Sequence, residues 1–327
     1  MRLDRIFGAC LGIAAIGITA ASIGLYAVTG WYGFNVILRR GGSAWTEVRP
    51  DDPRLSPAMR LALSDAVPEP ASSAPVWTEV APGFETAEMP ITTAGREVDR
   101  ILLTRFDPQR WRFETHNHPP GSRGPDEWLK ALGASFVING SYFEVTGEPS
   151  VPMKHRGEAL GPAAYNARHG VFVASPTPAI VDLRTGDWQA HLARAEEGSV
   201  SYPLLIDDKG ESRVTGNDRW LANRSFVATD RAGRVIFGTT TDAFFSLRRL
   251  AEYLRTAPLG LATALNFDGG PLACQGIQVG PHRRGFCGTW ETATRDGKLS
   301  LLRPALWPGR WGLAMVVAAF PKDAAAR

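Results

Sequence analysis

One carboxylate in this chain stands where a reaction could be run. Asp268 closes an apolar run, Thr263 to Phe267, and is followed by Gly269 and Gly270, whose missing side chains let the backbone turn sharply and let a ligand come close. Such a group can stabilise positive charge or move a proton; it can also do no more than cap the turn. A phosphatase motif with two aspartates two positions apart is excluded, because Asn266 holds the first place and removes the nucleophile. A second strand end has the same form, the run Ser135 to Ile138 closing on Asn139-Gly140-Ser141. His116 and His118 alternate, so on a strand they would point one way and could share a metal. Asn117, Pro119 and Pro120 argue for a turn there, no third ligand is evident in the sequence, and no metal or cofactor is expected.

The elements that carry these two strand ends repeat. A helix is predicted over Pro125 to Leu132, with proline and acids at its start, where they suit the unpaired N–H groups and the positive end of the dipole. A second helix opens at Ser246 and sets Leu247, Leu250, Ala251 and Leu254 on one face. Each helix leads into one of the two strands, so a helix, a buried strand and then a polar residue followed by small ones occur twice. In layered sheets the carboxyl end of such a strand opens into the cleft where ligands bind. Val98 to Phe106, Trp111 to Thr115, Gly170 to Ala174, Ser225 to Thr229 and Arg234 to Thr240 are further β-branched or aromatic runs, with Asp230 to Gly233 as a hairpin turn. The expected fold is α+β, a mixed β-rich domain with two helix–strand units facing a cleft, preceded by one transmembrane helix.

Three motifs then carry a resemblance. Asn139-Gly140-Ser141-Tyr142-Phe143 resembles the Asn-Gly-Gly-Phe/Tyr-Phe motif of the phosphodiester glycosidase domain family, Asn223-Arg224-Ser225 resembles its Arg-Thr/Ser entry to a strand, and Ala264 to Gly270 resembles its Asn-Leu-Asp-Gly-Gly signature. They stand in family order, within about residues 95 to 320. Leu272 departs from the pattern, which has a small hydroxyl residue near that place. The resemblance implies hydrolysis of a sugar linked through its anomeric carbon to a phosphodiester, with a non-catalytic glycan-binding or exopolysaccharide-assembly factor as the alternative. It implies Asp268 as one catalytic carboxylate; Glu144 or Asp242 could be its partner, or either could do no more than cap a turn. Arg224 would hold phosphate through its planar fork, with Lys154 and Arg156 as weaker candidates. Asn139 and Ser141 would recognise hydroxyls, and Gly140, Gly269 and Gly270 would complete the substrate-binding set.

From Ile6 to Leu38 there is no charged residue, a run of 33 positions, against about 20 needed to cross a bilayer as helix. A signal-anchor in the inner membrane is expected, with the globular domain outside the cytoplasm, from the short flank of five residues with two arginines; Arg39 and Arg40 after the run nearly balance Arg2 and Arg5, so the charge comparison alone does not orient it. A cleaved secretory signal is the alternative, Thr19 to Ser22 offering small residues for cleavage. Residues 1–40 are therefore read as anchor, 41–82, with seven prolines, as linker, and 83–327 as the glycosidase-like domain. Within the linker Ser56-Pro57 can open a short helix through Leu63. In an exported chain Cys274 and Cys287 are candidates for a disulfide, two buried free thiols being the other reading. A net charge of +3 without a basic stripe argues against a nucleic-acid partner. A glycan or sugar-phosphate substrate and the membrane are the expected partners.

Overall fold

The computed structural model describes residues 2–184, 187–216, 219–303 and 309–322. It is an α+β domain in which every strand pairing among the described residues is antiparallel. A seven-stranded sheet runs Leu204–Ile206, Leu261–Asn266, Ser225–Asp230, Val235–Thr240, Arg96–Phe106, Phe84–Thr93, Thr78–Ala81. A five-stranded sheet runs His282–Cys287, Cys274–Val279, Phe136–Asn139, Met315–Pro321, Trp111–Asn117. Two further sheets, one of five strands and one of three, complete the fold. Gly170–Ser175 and Glu197–Ser201 lie at the heart of one, and Ala44–Glu47, Lys298–Arg303 and Thr292–Arg295 form the other.

The large sheet is buried on both faces, and its sequence shows how. Along Ser225–Asp230, Phe226 and Ala228 enter one core with Ile236 and Ala264, whereas Val227 enters another with Val235, Phe237 and Leu265. Successive side chains of a strand point to opposite faces, so an unbroken apolar run serves two cores. The second core is aromatic: Phe106 lies 4.2 Å from Phe84, 5.5 Å from Phe113 and 5.3 Å from Phe136, centroid to centroid. Trimming one of these rings to alanine is expected to cost about 3–5 kcal/mol.

Both predicted helices form. Leu247–Thr256 is capped by the Ser246 side chain, which accepts from Arg249 N, and buries Leu250, Ala251, Tyr253 and Leu254. Pro125–Leu132 ends at Gly133, whose φ of 64° is the left-handed conformation favoured by glycine.

Residues 41–82 depart from the linker reading. Ala44–Glu47 pairs with Lys298–Arg303. Pro57–Ala62 is a helix capped by Ser56, and Leu55, Met59 and Leu63 recur every fourth residue into the core beneath Leu247–Thr256. Ser72 Oγ lies 2.5 Å from the Tyr253 hydroxyl. The prolines punctuate this segment without freeing it, because apolar residues at helical spacing have a face of the sheet to cover.

At the N-terminus, Arg2–Arg40 is one apolar helix broken at Gly30, where φ is 61° and ψ is −165°. Cys10–Leu38 is long and apolar enough to cross a membrane. Beyond the break, Tyr32 and Val36 are buried against Ala314, with Phe143 and Trp311 alongside.

Candidate active site

The two helix–strand units meet at their strand ends. Asp268 N donates to Gly140 O at 3.1 Å, and Asn139 Nδ2 donates to Asp268 O at 2.7 Å. Asn139 Oδ1 accepts from Cys274 N at 3.1 Å. The buried Asn139 amide is therefore spent on two stretches of main chain, and it holds the Asp268 turn in place. Ser141 is buried too, its hydroxyl donating to Ser201 Oγ, which donates to Asn266 O. The hydroxyl-recognition role expected for Asn139 and Ser141 is thereby replaced by a positioning one. Gly140 meets Met315 closely enough that an added Cβ would lie 3.3 Å from the Met315 Cβ.

Asp268 is half-buried, and Gly269 N donates to its Oδ1 at 2.8 Å. Burial is the main force that pushes its carboxyl up to about 7, and the negative charge of Glu291 adds to it; the Gly269 bond and the Arg224 cation oppose the rise. Glu291 was not singled out in the sequence. It lies next to Gly270, where any Cβ would collide with its carboxylate, and Trp220 Nε1 donates to its Oε1 at 3.2 Å. Glu291 reaches the site through an isolated bridge to Ala222, a pairing of residues 69 positions apart that no local pattern announces. The Asn223 amide fastens the same region, donating to Thr240 O and Asp242 O and accepting from Thr289 N and Trp290 N.

Arg224 is buried, with 5% of its surface exposed. Nε donates to Phe245 O at 3.2 Å and Nη2 to Trp220 O at 2.6 Å, while Nη1 lies toward Gly269. Burial brings its pKa down to about 10, which Glu291, Tyr142 and Asp268 counteract, so the group remains a cation at neutral pH. Its fork is half committed to carbonyls, and the Nη1 side is the part directed at the site. Tyr142 stacks on Tyr202 with ring centroids 4.3 Å apart, and its hydroxyl donates to Tyr202 O and accepts from Asn266 Nδ2. A cavity of about 240 Å³ adjoins, walled by Arg224, Trp220, His169, Pro203 and Leu247.

Other expected site residues fall elsewhere. Asp242 accepts from Ser56 Oγ at 2.6 Å and from Ala243 N, so it caps the turn ahead of the second helix. Glu144 is exposed on a tight turn closed by its own main-chain bonds to Glu148 and Gly147, and its charge acts with that of Asp268 on Tyr202, whereas the acid whose charge raises Asp268 is Glu291. Lys154 Nζ donates to Ala193 O, and Arg156 N donates to Glu197 Oε1. Arg156 belongs to a cluster with His155 and His116, whose rings are 4.5 Å apart. His116 sits on the strand Trp111–Asn117, and burial and His155 hold its pKa down to about 4. Among the described residues, the one group of three acids or histidines within metal-sharing distance is Asp182, Asp207 and Asp208, and there Arg184 and Arg213 pair with the first two. Cys274 and Cys287 face each other across a hairpin and are joined as a disulfide, Cα atoms 4.0 Å apart. Leu272 is partly buried with Trp128 and Cys274 and brings no hydroxyl to the turn.

Both strand ends and Arg224 lie within one stretch of the chain. Residues 132–273 match the phosphodiester glycosidase family. It is the family expected from the three motifs, and the match ends short of Glu291. No curated protein matches the chain. Several solved structures are similar, among them the following two. The catalytic domain of zebrafish N-acetylglucosamine-1-phosphodiester alpha-N-acetylglucosaminidase, auto-inhibited by its pro-peptide, is 13% identical, with 77% of this chain and 88% of that one covered and a TM-score of 0.49. A hypothetical protein from Synechocystis is 12% identical, with 76% and 64% covered and a TM-score of 0.48.

Proposed function

We propose that the domain hydrolyses a glycosyl phosphodiester in cell-envelope glycan metabolism. What carries this reading is the gathering of a carboxyl group poised near neutrality, a second carboxylate and a buried guanidinium around one glycine turn. Arg224 receives the phosphate on its Nη1 side. A departing phosphate monoester has a second pKa of about 6, so the leaving group needs little help from an acid. Asp268, when ionised, takes a proton from the attacking water; the water oxygen bonds to the anomeric carbon, and the C–O bond to phosphate breaks with its electron pair left on phosphate. Glu291 stabilises, through its negative charge, the positive charge that develops on the sugar. Asn139 and Gly140 keep the Asp268 turn at the strand junction. Activity should rise with pH through about 7 as Asp268 ionises.

Wild-type protein offered a sugar-1-phosphodiester and a plain aryl glycoside should cleave the first. Glu291→Gln and Asp268→Asn should each lose about a hundredfold or more in kcat, the scale of one preorganised electrostatic group. Binding without cleavage by wild type would favour a glycan-binding factor, and wild-type rates in both variants would remove the two carboxylates from the chemistry. The apolar helix serves as an inner-membrane anchor with the domain outside the cytoplasm. Protease added on that side should digest the domain without membrane lysis, and protection would reverse the orientation.

A further inference from the structure

The substrate-side loops touch the junction at which the apolar helix ends its straight run. Residues 2–29 rise about 42 Å as helix, more than the roughly 30 Å of a bilayer's hydrocarbon core, and the helix breaks at Gly30. Around the break Tyr26, Trp31 and Phe34 form an edge-to-face cluster with centroids 5.1 and 6.0 Å apart. Aromatic rings with an apolar body and a polar edge collect at the level of lipid headgroups. The site motif comes directly to this level. Phe143 packs on Tyr32 at 4.9 Å, and Thr146 lies against Gly30. Between them Val145 turns outward, 63% exposed, an apolar tip beside the membrane junction.

Next to the Asp268 turn a second cavity, of about 390 Å³, is lined by Pro271 and Gly288 and by Trp290, Leu302 and Trp311. Trp311 is itself packed with Tyr32 and Val36 of the helix. The cleft thus joins the residues next to Gly270 to the helix segment beyond the membrane junction. Pro271, Trp290, Leu302 and Trp311 give it an apolar surface that suits hydrocarbon, and Arg54 and Arg303 add two cations to its wall.

We infer that the phosphodiester hydrolysed is carried on a membrane lipid: a sugar-1-phosphate esterified to a long hydrocarbon chain that lies along the Trp290–Trp311 cleft. The inference rests on the glycosyl phosphodiester reading of the site. Hydrolysis then splits the bond between the anomeric carbon and the phosphate oxygen, releases free sugar, and leaves the lipid phosphate monoester in the bilayer. An upstream glycosyl-phosphate lipid synthase supplies such a substrate.

The test uses the full chain in vesicles of neutral phospholipid, with the product analogues dodecyl phosphate and methyl phosphate read by tryptophan fluorescence. Each buried methylene strengthens binding about fourfold, so a tail seated over a few methylenes should bind on the order of a hundredfold more tightly than methyl phosphate. Trp311→Ala should remove most of that preference. Val145→Asp, on an exposed tip where folding is not at stake, should weaken dodecyl phosphate and leave methyl phosphate unchanged. A diazirine at the tail end should label the peptides bearing Trp290 or Trp311. Equal affinity of wild type for the two phosphates, or labelling elsewhere, would overturn the inference while leaving the glycosidase reading in place. Tight, cleft-dependent binding by a protein that cleaves no glycosyl phosphodiester would uphold the lipid site and overturn the reaction.

Discussion

Asp268→Asn separates the chemistry of the site from its cost to the fold. The carboxyl is lifted from the ordinary 3.8 to about 7, chiefly by burial. A folded-state pKa above the unfolded one means that the native protein holds the proton more tightly. The protonated form therefore stabilises fully below about pH 4, and that stability is lost as pH rises through about 7. Three units at 1.36 kcal/mol each set a ceiling of about 4 kcal/mol, and because Asp268 reaches solvent, about half of that is expected. Asparagine keeps the acceptor for Gly269 N and never ionises. The difference in Tm between variant and wild type should be small at pH 4 and should grow to roughly 4–8 °C in favour of the variant at pH 8, at 2–4 °C per kcal/mol for a domain of this size. Scanning calorimetry of both proteins at several pH values makes the comparison, and titration of every other carboxylate cancels in the difference. A variant that is less stable than wild type at pH 8, or a difference that does not change with pH, would refute the assignment of burial as the force on Asp268.

Other outcomes follow from the same geometry. Arg224→Lys keeps a cation but loses the bonds from Nε and Nη2 to Phe245 O and Trp220 O; KM for the phosphodiester should rise about tenfold or more while free-sugar binding changes little, and an unchanged KM would take Arg224 off the phosphate. Replacing Cys274 and Cys287 together by serine opens a loop spanning 13 positions and should lower stability by about 3 kcal/mol. It should also reduce kcat, because Cys274 N anchors Asn139 Oδ1; urea unfolding and turnover at a temperature where the variant stays folded check both effects.

Most of the framework was legible in the chain. The two helices announce themselves through Ser246, Pro125 and apolar residues on one face, and the strands through β-branched runs between turn residues. These signals are local, and burial reinforced them. Within 41–82 the short helix opened by Ser56-Pro57 was legible, but its docking was not, because the surface that Leu55, Met59 and Leu63 cover is built by residues far along the chain.

The site divides in the same way. Sequence by itself determined that Asp268 and Asn139 would end apolar strands ahead of small residues, that Arg224 would precede another strand, and that an uncharged helix would come before them all. Only tertiary structure decided what these residues do. It turned the Asn139 amide toward Asp268 O and Cys274 N, sent Asp242 to Ser56, and left Lys154 with Ala193 O and the Arg156 main chain with Glu197. It also brought Glu291 to Gly270 through a bridge to Ala222. Backbone pattern is set within a few residues by sterics and burial, whereas the electrostatic partner of a carboxylate is whichever charge the packing of distant strands carries to it.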